Sequence, residues 1–185
     1  MAVKKSFRKC LYLFEILFIV IVFPKMCFSQ TDTIHWSPNF KLQWNDFQGK
    51  PDSSSANAAF TFSAVSYKSY YINDTALHFD VFCFFDKLIS WTKTNTDSIL
   101  IRHEQGHFNI TELFARKLRK AFKNLSNEDD VRPQIKRIFE KIMTQKKAMQ
   151  ILYDKETQSS KNRAAQIQWD KYVLTELENL KEYEN

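Results

Sequence analysis

Glycine is nearly absent from this chain, with two residues in 185, and cysteine and histidine are almost as scarce, with three and four. With so little glycine and 17 phenylalanines, regular structure and burial have to hold the fold together. Cys10 and Cys27 fall in the first 29 residues, so the remainder carries Cys83 alone, which excludes an internal disulfide there. Cys83 sits in Val81-Phe82-Cys83-Phe84-Phe85, a setting for packing rather than reactivity. Internal repeats and low-complexity segments are also lacking.

A long hydrophobic run is missing too. Residues 11–23 form an apolar stretch interrupted by Glu15, shorter than the ~20 apolar residues of a membrane span. Lys4, Lys5, Arg8 and Lys9 precede it, and Pro24 and a small residue at Ser29 follow. That order is the pattern of a cleaved secretory signal. The expectation is a signal peptide over residues 1–29, a single domain over 30–185, export to the periplasm or beyond, and no stable membrane span after cleavage. The context Lys25-Met26-Cys27 lacks the small residues that precede a lipid-modified cysteine.

Surplus charge largely disappears with that segment. It holds five cations and Glu15, a net of +4, against +6 for the chain, so the remainder carries only +2. A nucleic-acid partner calls for a basic patch on the folded domain, and this balance argues against one. The cations Arg116, Lys117, Arg119, Lys120 and Lys123 gather towards the end of an expected helix, where they suit its dipole and are expected to be solvated.

What is present divides into two halves. Turn-forming residues dominate 31–57, with alternation at Leu42, Trp44 and Asp46 suggesting a short strand. Residues 58–71 alternate and 76–85 are rich in aromatic and β-branched residues, with Asn73-Asp74 as a turn between them. Helical patterns follow. Thr96 or Asp97 can cap a first helix whose stripe runs through Ile99, His103, His107, Ile110, Phe114 and Leu118. A second helix is expected from near Ser126, with Glu128, Asp129 and Asp130 in its first turn, through Ile135, Ile138, Ile142 and Met149. A polar stretch over 154–162 breaks the pattern. The last helix covers about 164–181, burying Trp169, Val173, Leu177 and Leu180. The fold class is therefore α+β: an N-terminal antiparallel sheet followed by three helices.

The first helix carries His103-Glu104-Gln105-Gly106-His107. Residues four apart share a helix face, so two imidazoles can hold one zinc ion. Glu104, rotated off that line, can act as general base on water and then as acid to the leaving amine. Packing of the two rings in the core is the competing reading. Gly106 leaves room for a close approach by another backbone or reflects local packing. A catalytic zinc takes three protein ligands, and the third is not set by the motif. Glu112, five residues beyond His107, points about 140° away and is expected to be solvated or to support another element. His35 and His78 are the other histidines. Asp154 and Glu156, in the polar stretch, are the remaining candidates.

Several separated segments carry a family likeness. They are Ile34-His35-Trp36-Ser37, the run from Leu42-Gln43-Trp44 through Lys50-Pro51-Asp52, Asp86-Lys87 before Ser90-Trp91, and the His103–His107 motif leading into Glu112-Leu113-Phe114. Tyr153-Asp154-Lys155-Glu156-Thr157, with Gln166 and Trp169, completes them. On these residues the chain resembles the DUF922 family of secreted bacterial zinc-dependent proteases, in its Bacteroidetes form. The resemblance implies an exported zinc peptidase acting on a peptide or protein substrate. The family pattern has a His, often followed by Gly, two residues after the Glu-Thr pair. Here Ser159 takes its place, and a neutral hydroxyl is a poor zinc ligand. Either Glu156 or Asp154 completes the site, or this chain is a non-catalytic exported domain acting in binding or envelope interaction. Tyr153 is the candidate oxyanion stabiliser.

Overall fold

The computed structural model describes residues 32–72, 76–125 and 131–185. The expected signal segment at 1–29, the Asn73-Asp74 turn and the acidic first turn at 128–130 lie outside them. The strands are β1 (Thr33–His35), β2 (Ala59–Phe60), β3 (Ser63–Ile72), β4 (Ala76–Asp86) and β5 (Trp91–Thr92). β4 is central in an antiparallel sheet of order β1-β4-β3, with β3 and β4 in register from Ser63↔Phe85 to Ile72↔Ala76. Its alternation selects one face. Val81, Cys83 and Phe85 are buried while His78 and Asp80 are exposed, and on β3 Val65 is the buried partner of Cys83.

Three helices follow the sheet: α1 (Ser98–Lys123), α2 (Arg132–Thr157) and α3 (Arg163–Asn179). The α+β architecture is the one the patterning indicates. α1 begins at Asp97, whose carboxylate accepts the Ile99 and Leu100 amide hydrogens at 2.8 and 3.0 Å, satisfying donors that have no partner inside the helix. It packs on β3 and β4 and also on α2 and α3, so Phe108, Ile110, Leu113, Phe114 and Leu118 are all buried. The loop before β2 is fastened to it: Leu42 N–H donates to Gln105 Oε1 at 2.8 Å and Trp36 Nε1 to Asn109 Oδ1 at 3.0 Å. Among the described residues no helix is long and apolar enough to cross a membrane.

Four local expectations are corrected. The alternation at Leu42, Trp44 and Asp46 is not a strand but leads into a 3-10 turn at Trp44–Asp46. There the Asp46 carboxylate reaches back to Gln43 N–H at 2.8 Å. The single strand expected over 58–71 is two strands, because at Phe62 the pairing changes. Its N–H goes to Ser90 Oγ at 2.9 Å and its carbonyl accepts from Asp86 N–H, while β2 pairs with β5. α2 does not break at Asp154 but continues to Thr157. It ends in three successive left-handed residues, Gln158, Ser159 and Ser160, at φ 51°, 50° and 77°.

The fourth correction concerns charge. Of the two expectations for Glu112, solvation fails and support of another element holds, while Arg116 and Arg119 are not solvated. Glu112 and Arg116 are each 2% exposed; Glu112 Oε1 accepts from Arg116 Nε at 3.0 Å and Arg119 Nη1 at 2.8 Å. Arg116 continues to Glu184 and Leu177 O, and Arg119 to Val81 O and Tyr183 O. A buried ion pair is tolerated only when its remaining donors are satisfied, and these backbone carbonyls do that.

Candidate metal centre

α1 presents His103 and His107 one turn apart, and α2 crosses so that Asp154 meets both. The contacts are His103 Nε2 to His107 Nε2 at 3.2 Å, His103 Nε2 to Asp154 Oδ1 at 3.1 Å, and His107 Nε2 to Asp154 Oδ1 at 3.0 Å. Each residue offers one ligand atom, and the three could hold a metal ion.

The remaining ring nitrogens settle which atoms face inward. Gln150 Nε2 donates to His107 O at 3.0 Å and Thr111 Oγ1 at 3.3 Å, which leaves Gln150 Oε1 against His107 Nδ1. Gln166 Nε2 donates to Tyr153 Oη at 2.6 Å and Asp170 Oδ1 at 2.8 Å, leaving its Oε1 at 3.1 Å from His103 Nδ1. Thr157 Oγ1 lies 3.4 Å from the same nitrogen, and its own hydrogen goes to Tyr153 O at 2.6 Å. Acceptors thus face both Nδ1 atoms, so each Nδ1 carries the hydrogen and each neutral imidazole turns an Nε2 lone pair inward. Three acceptors then meet 3.0–3.2 Å apart. That arrangement is repulsive unless a cation or a proton lies among them.

The donor set fits zinc. Tetrahedral Zn²⁺ with nitrogen and oxygen ligands at ~2.0–2.1 Å has ligand-to-ligand edges of about 3.3 Å, against 3.0–3.2 Å here. Neutral imidazoles with hydrogen-bonded Nδ1 and a carboxylate are also the usual ligand chemistry. Without metal the groups lean on one another electrostatically. Burial alone would raise the Asp154 carboxyl, but its interactions with His103 and His107 outweigh it and hold its pKa well below the usual range. Burial pulls His107 down, yet the Asp154 hydrogen bond and the Glu104 and Asp154 charges leave its pKa raised.

Beneath the centre, the Tyr153 ring stacks on His103 at 4.5 Å and 13°. Its hydroxyl donates to His103 O at 3.1 Å, and burial pushes its pKa up. Gly106 admits this ring: a Cβ at that position would lie 2.1 Å from Tyr153 Oη and 2.7 Å from Cζ. The close approach is thus by an aromatic side chain, not by another backbone.

A cavity of about 930 Å³ opens over the centre, lined by His103, Glu104, His107 and Asp154, by residues 56–63, and by Lys146, Gln150 and Ser159. Glu104 is 3% exposed, and among the described residues its carboxylate has no hydrogen-bond or ion-pair partner. It is poised to address whatever enters.

Of the residues singled out from sequence, the structure brings His103, His107 and Asp154 together, with Glu104 on the same cavity. Glu156 stands apart: it is exposed, and its carboxylate accepts from Trp169 Nε1 at 2.7 Å. Ser159 lines the cavity but is not among the three. The Tyr153 hydroxyl is committed to His103 O and Gln166. His35 lies on β1 near Phe82, and His78 stacks on Tyr70. Sequence reasoning missed the positioning roles of Gln150 and Gln166. Gln150 was findable, since it lies four residues before Asp154 and so on the same helix face.

Residues 86–162 match the family described as "Bacterial protein of unknown function (DUF922)", which supports the family assignment. The matched stretch contains all three donor residues and Glu104. Comparisons with curated proteins and with solved structures give no match.

Proposed function

Starting from a chain whose residues 86–162 carry DUF922-type sequence, we propose that it is an exported zinc-dependent hydrolase acting on peptide bonds. The observation that carries this reading is the convergence of two imidazole lone pairs and a carboxylate oxygen within 3.2 Å of one another, in a cavity that also holds an unpartnered glutamate. Zinc bound there would supply a Lewis acid for a scissile carbonyl and for water at neutral pH. The protein supplies the rest. Gln150 and Gln166 keep both rings turned inward. Glu104, nearly buried yet facing the cavity, takes a proton from the attacking water and returns it to the leaving amine. The place of the absent family histidine is no obstacle in this reading, because Asp154 completes the donor set and Ser159 is not called on.

The test uses the purified protein with quenched fluorescent peptides. Turnover should stop with chelator and return with zinc. Glu104→Gln should still bind zinc while losing about 10²–10⁴ of the rate. Equal activity in Glu104→Gln would remove Glu104 from the chemistry, and zinc-loaded wild type without turnover would leave a binding domain. N-terminal sequencing of the exported form should find a terminus near Gln30.

A further inference from the structure

Three cations line the cavity, Lys146, Lys147 and Lys161, and Lys146 differs from the other two. It is only partly exposed, whereas they are open to solvent. Its ammonium donates to one neutral acceptor, Ser63 O at 3.1 Å, and among the described residues no carboxylate lies within ion-pair distance. A lysine ammonium has three hydrogens to place, and a partly buried cation without a counter-ion is disfavoured; burial accordingly draws its pKa down. None of the acids on the cavity wall pairs with it. The Asp97 carboxylate caps α1, Asp154 faces both imidazoles, and Glu104 is the base of the proposed reaction. Lys146 is therefore a partly buried cation that faces the cavity without a counter-ion among the described residues.

Its position relative to the centre is fixed by the helix. Lys146, Gln150 and Asp154 are four residues apart along one face of α2. Gln150 holds His107, and Asp154 is one of the three donors. Eight residues of helix span about 12 Å, the length of three to four residues of extended peptide, and the lysine stem shortens the gap. We propose that Lys146 anchors a carboxylate of the substrate within about four residues of the bond that is cut, so that the site selects acidic peptides. The carboxylate is that of an Asp or Glu side chain or of a free C-terminus. The inference rests on the hydrolase reading of the same cavity for its place in a reaction, but the anchor itself is a matter of binding. Lys146 would be a specificity residue and not a catalytic one.

Binding separates the anchor from the chemistry. Zinc-loaded Glu104→Gln protein, used so that the peptides stay intact, is titrated with fluorescent peptides by anisotropy. One set is amidated and carries a single Glu moved along the chain, a second has Gln in its place, and a third has Gln and a free C-terminus. A charge-assisted hydrogen bond predicts a preference of about tenfold or more for one Glu position over Gln, or for the free C-terminus over the amide. Lys146→Met, in the same background, should bring that ratio to about unity, and Lys146→Arg should keep it. The ratio within each protein is the readout, so a general loss of stability from the lost Ser63 contact does not imitate the result. No carboxylate preference in the parent protein overturns the proposal even if Lys146→Met fails to fold, and so does a preference that survives Lys146→Met. Selective binding without cleavage by wild type would keep the anchor and sink the hydrolase; cleavage without selectivity would do the reverse.

Discussion

Replacing Gly106 by alanine should damage both stability and metal binding, although alanine is the better helix former. A Cβ there would meet Tyr153 Oη at 2.1 Å and Cζ at 2.7 Å, where ordinary contact begins near 3.4 Å. The ring would have to withdraw by more than an ångström. It is 1% exposed, stacked on His103, edge-on to Trp169, and tied by its hydroxyl to His103 O and Gln166. Overpacking of this kind costs about 1–3 kcal/mol, and disturbing a buried hydrogen bond adds about 1 kcal/mol. Helix propensity returns at most ~1 kcal/mol. The balance is a loss of about 2 kcal/mol, or roughly 4–8 °C in Tm for a domain of this size. Because the displaced ring supports His103, zinc affinity should fall about tenfold or more. Thermal melts with and without zinc, and competition against a chromogenic chelator, measure both. The double variant Gly106→Ala, Tyr153→Phe removes the closest atom and should recover part of the stability. A Gly106→Ala protein that melts higher than wild type and binds zinc equally well would refute the packing argument.

Other outcomes follow from the same geometry. Among the described residues Thr61 Oγ1 is buried without a partner, so Thr61→Val should raise stability by about 1 kcal/mol, read as an increase in Tm; a decrease would mean that the hydroxyl is bonded in solution. Glu112→Leu leaves Arg116 and Arg119 without their shared carboxylate, and urea denaturation should show a loss of about 3 kcal/mol or more. For metal-free protein two groups of the centre shape the pH profile between acid and neutrality. The depressed Asp154 carboxyl stabilises the fold above its unfolded pKa and loses this as pH falls. The raised His107 pKa stabilises below its unfolded value and loses this as pH rises through the folded one. Chelated protein should therefore be most stable at about pH 5–6.5, whereas zinc, which needs deprotonated donors, should stabilise more as pH rises above that window. A chelated profile still climbing at pH 8 would contradict the assignment of charges.

The sheet and helices were legible because hydrophobic period is a local signal. Residues 76–85 are rich in aromatic and β-branched side chains, and Asp97 stands before a helical stripe. The end of α2 was not legible, and the reason is instructive. Asp154 and Thr157 are polar because they face His103 and His107, so the very residues that serve the centre resemble a loop when read for burial. The fates of Arg116 and Arg119 were hidden for a similar cause, since their partners Leu177, Glu184 and Tyr183 lie some sixty or more residues away in the chain. Glu156 and Asp154 were indistinguishable as third donors from composition alone. Two residues on a helix differ by about 200° in direction, and only the crossing of α1 and α2 decides which one points at the imidazoles.

That choice gives the most direct test. Zinc affinity should be measured by competition for the wild type and for His103→Ala, His107→Ala, Asp154→Ala and Glu156→Ala. The account predicts a single tight zinc in wild type and in Glu156→Ala, with affinity reduced by about 100-fold or more when any of the three donors is removed. Absence of zinc binding in wild type, or an Asp154→Ala protein that holds zinc as well as wild type, would contradict it.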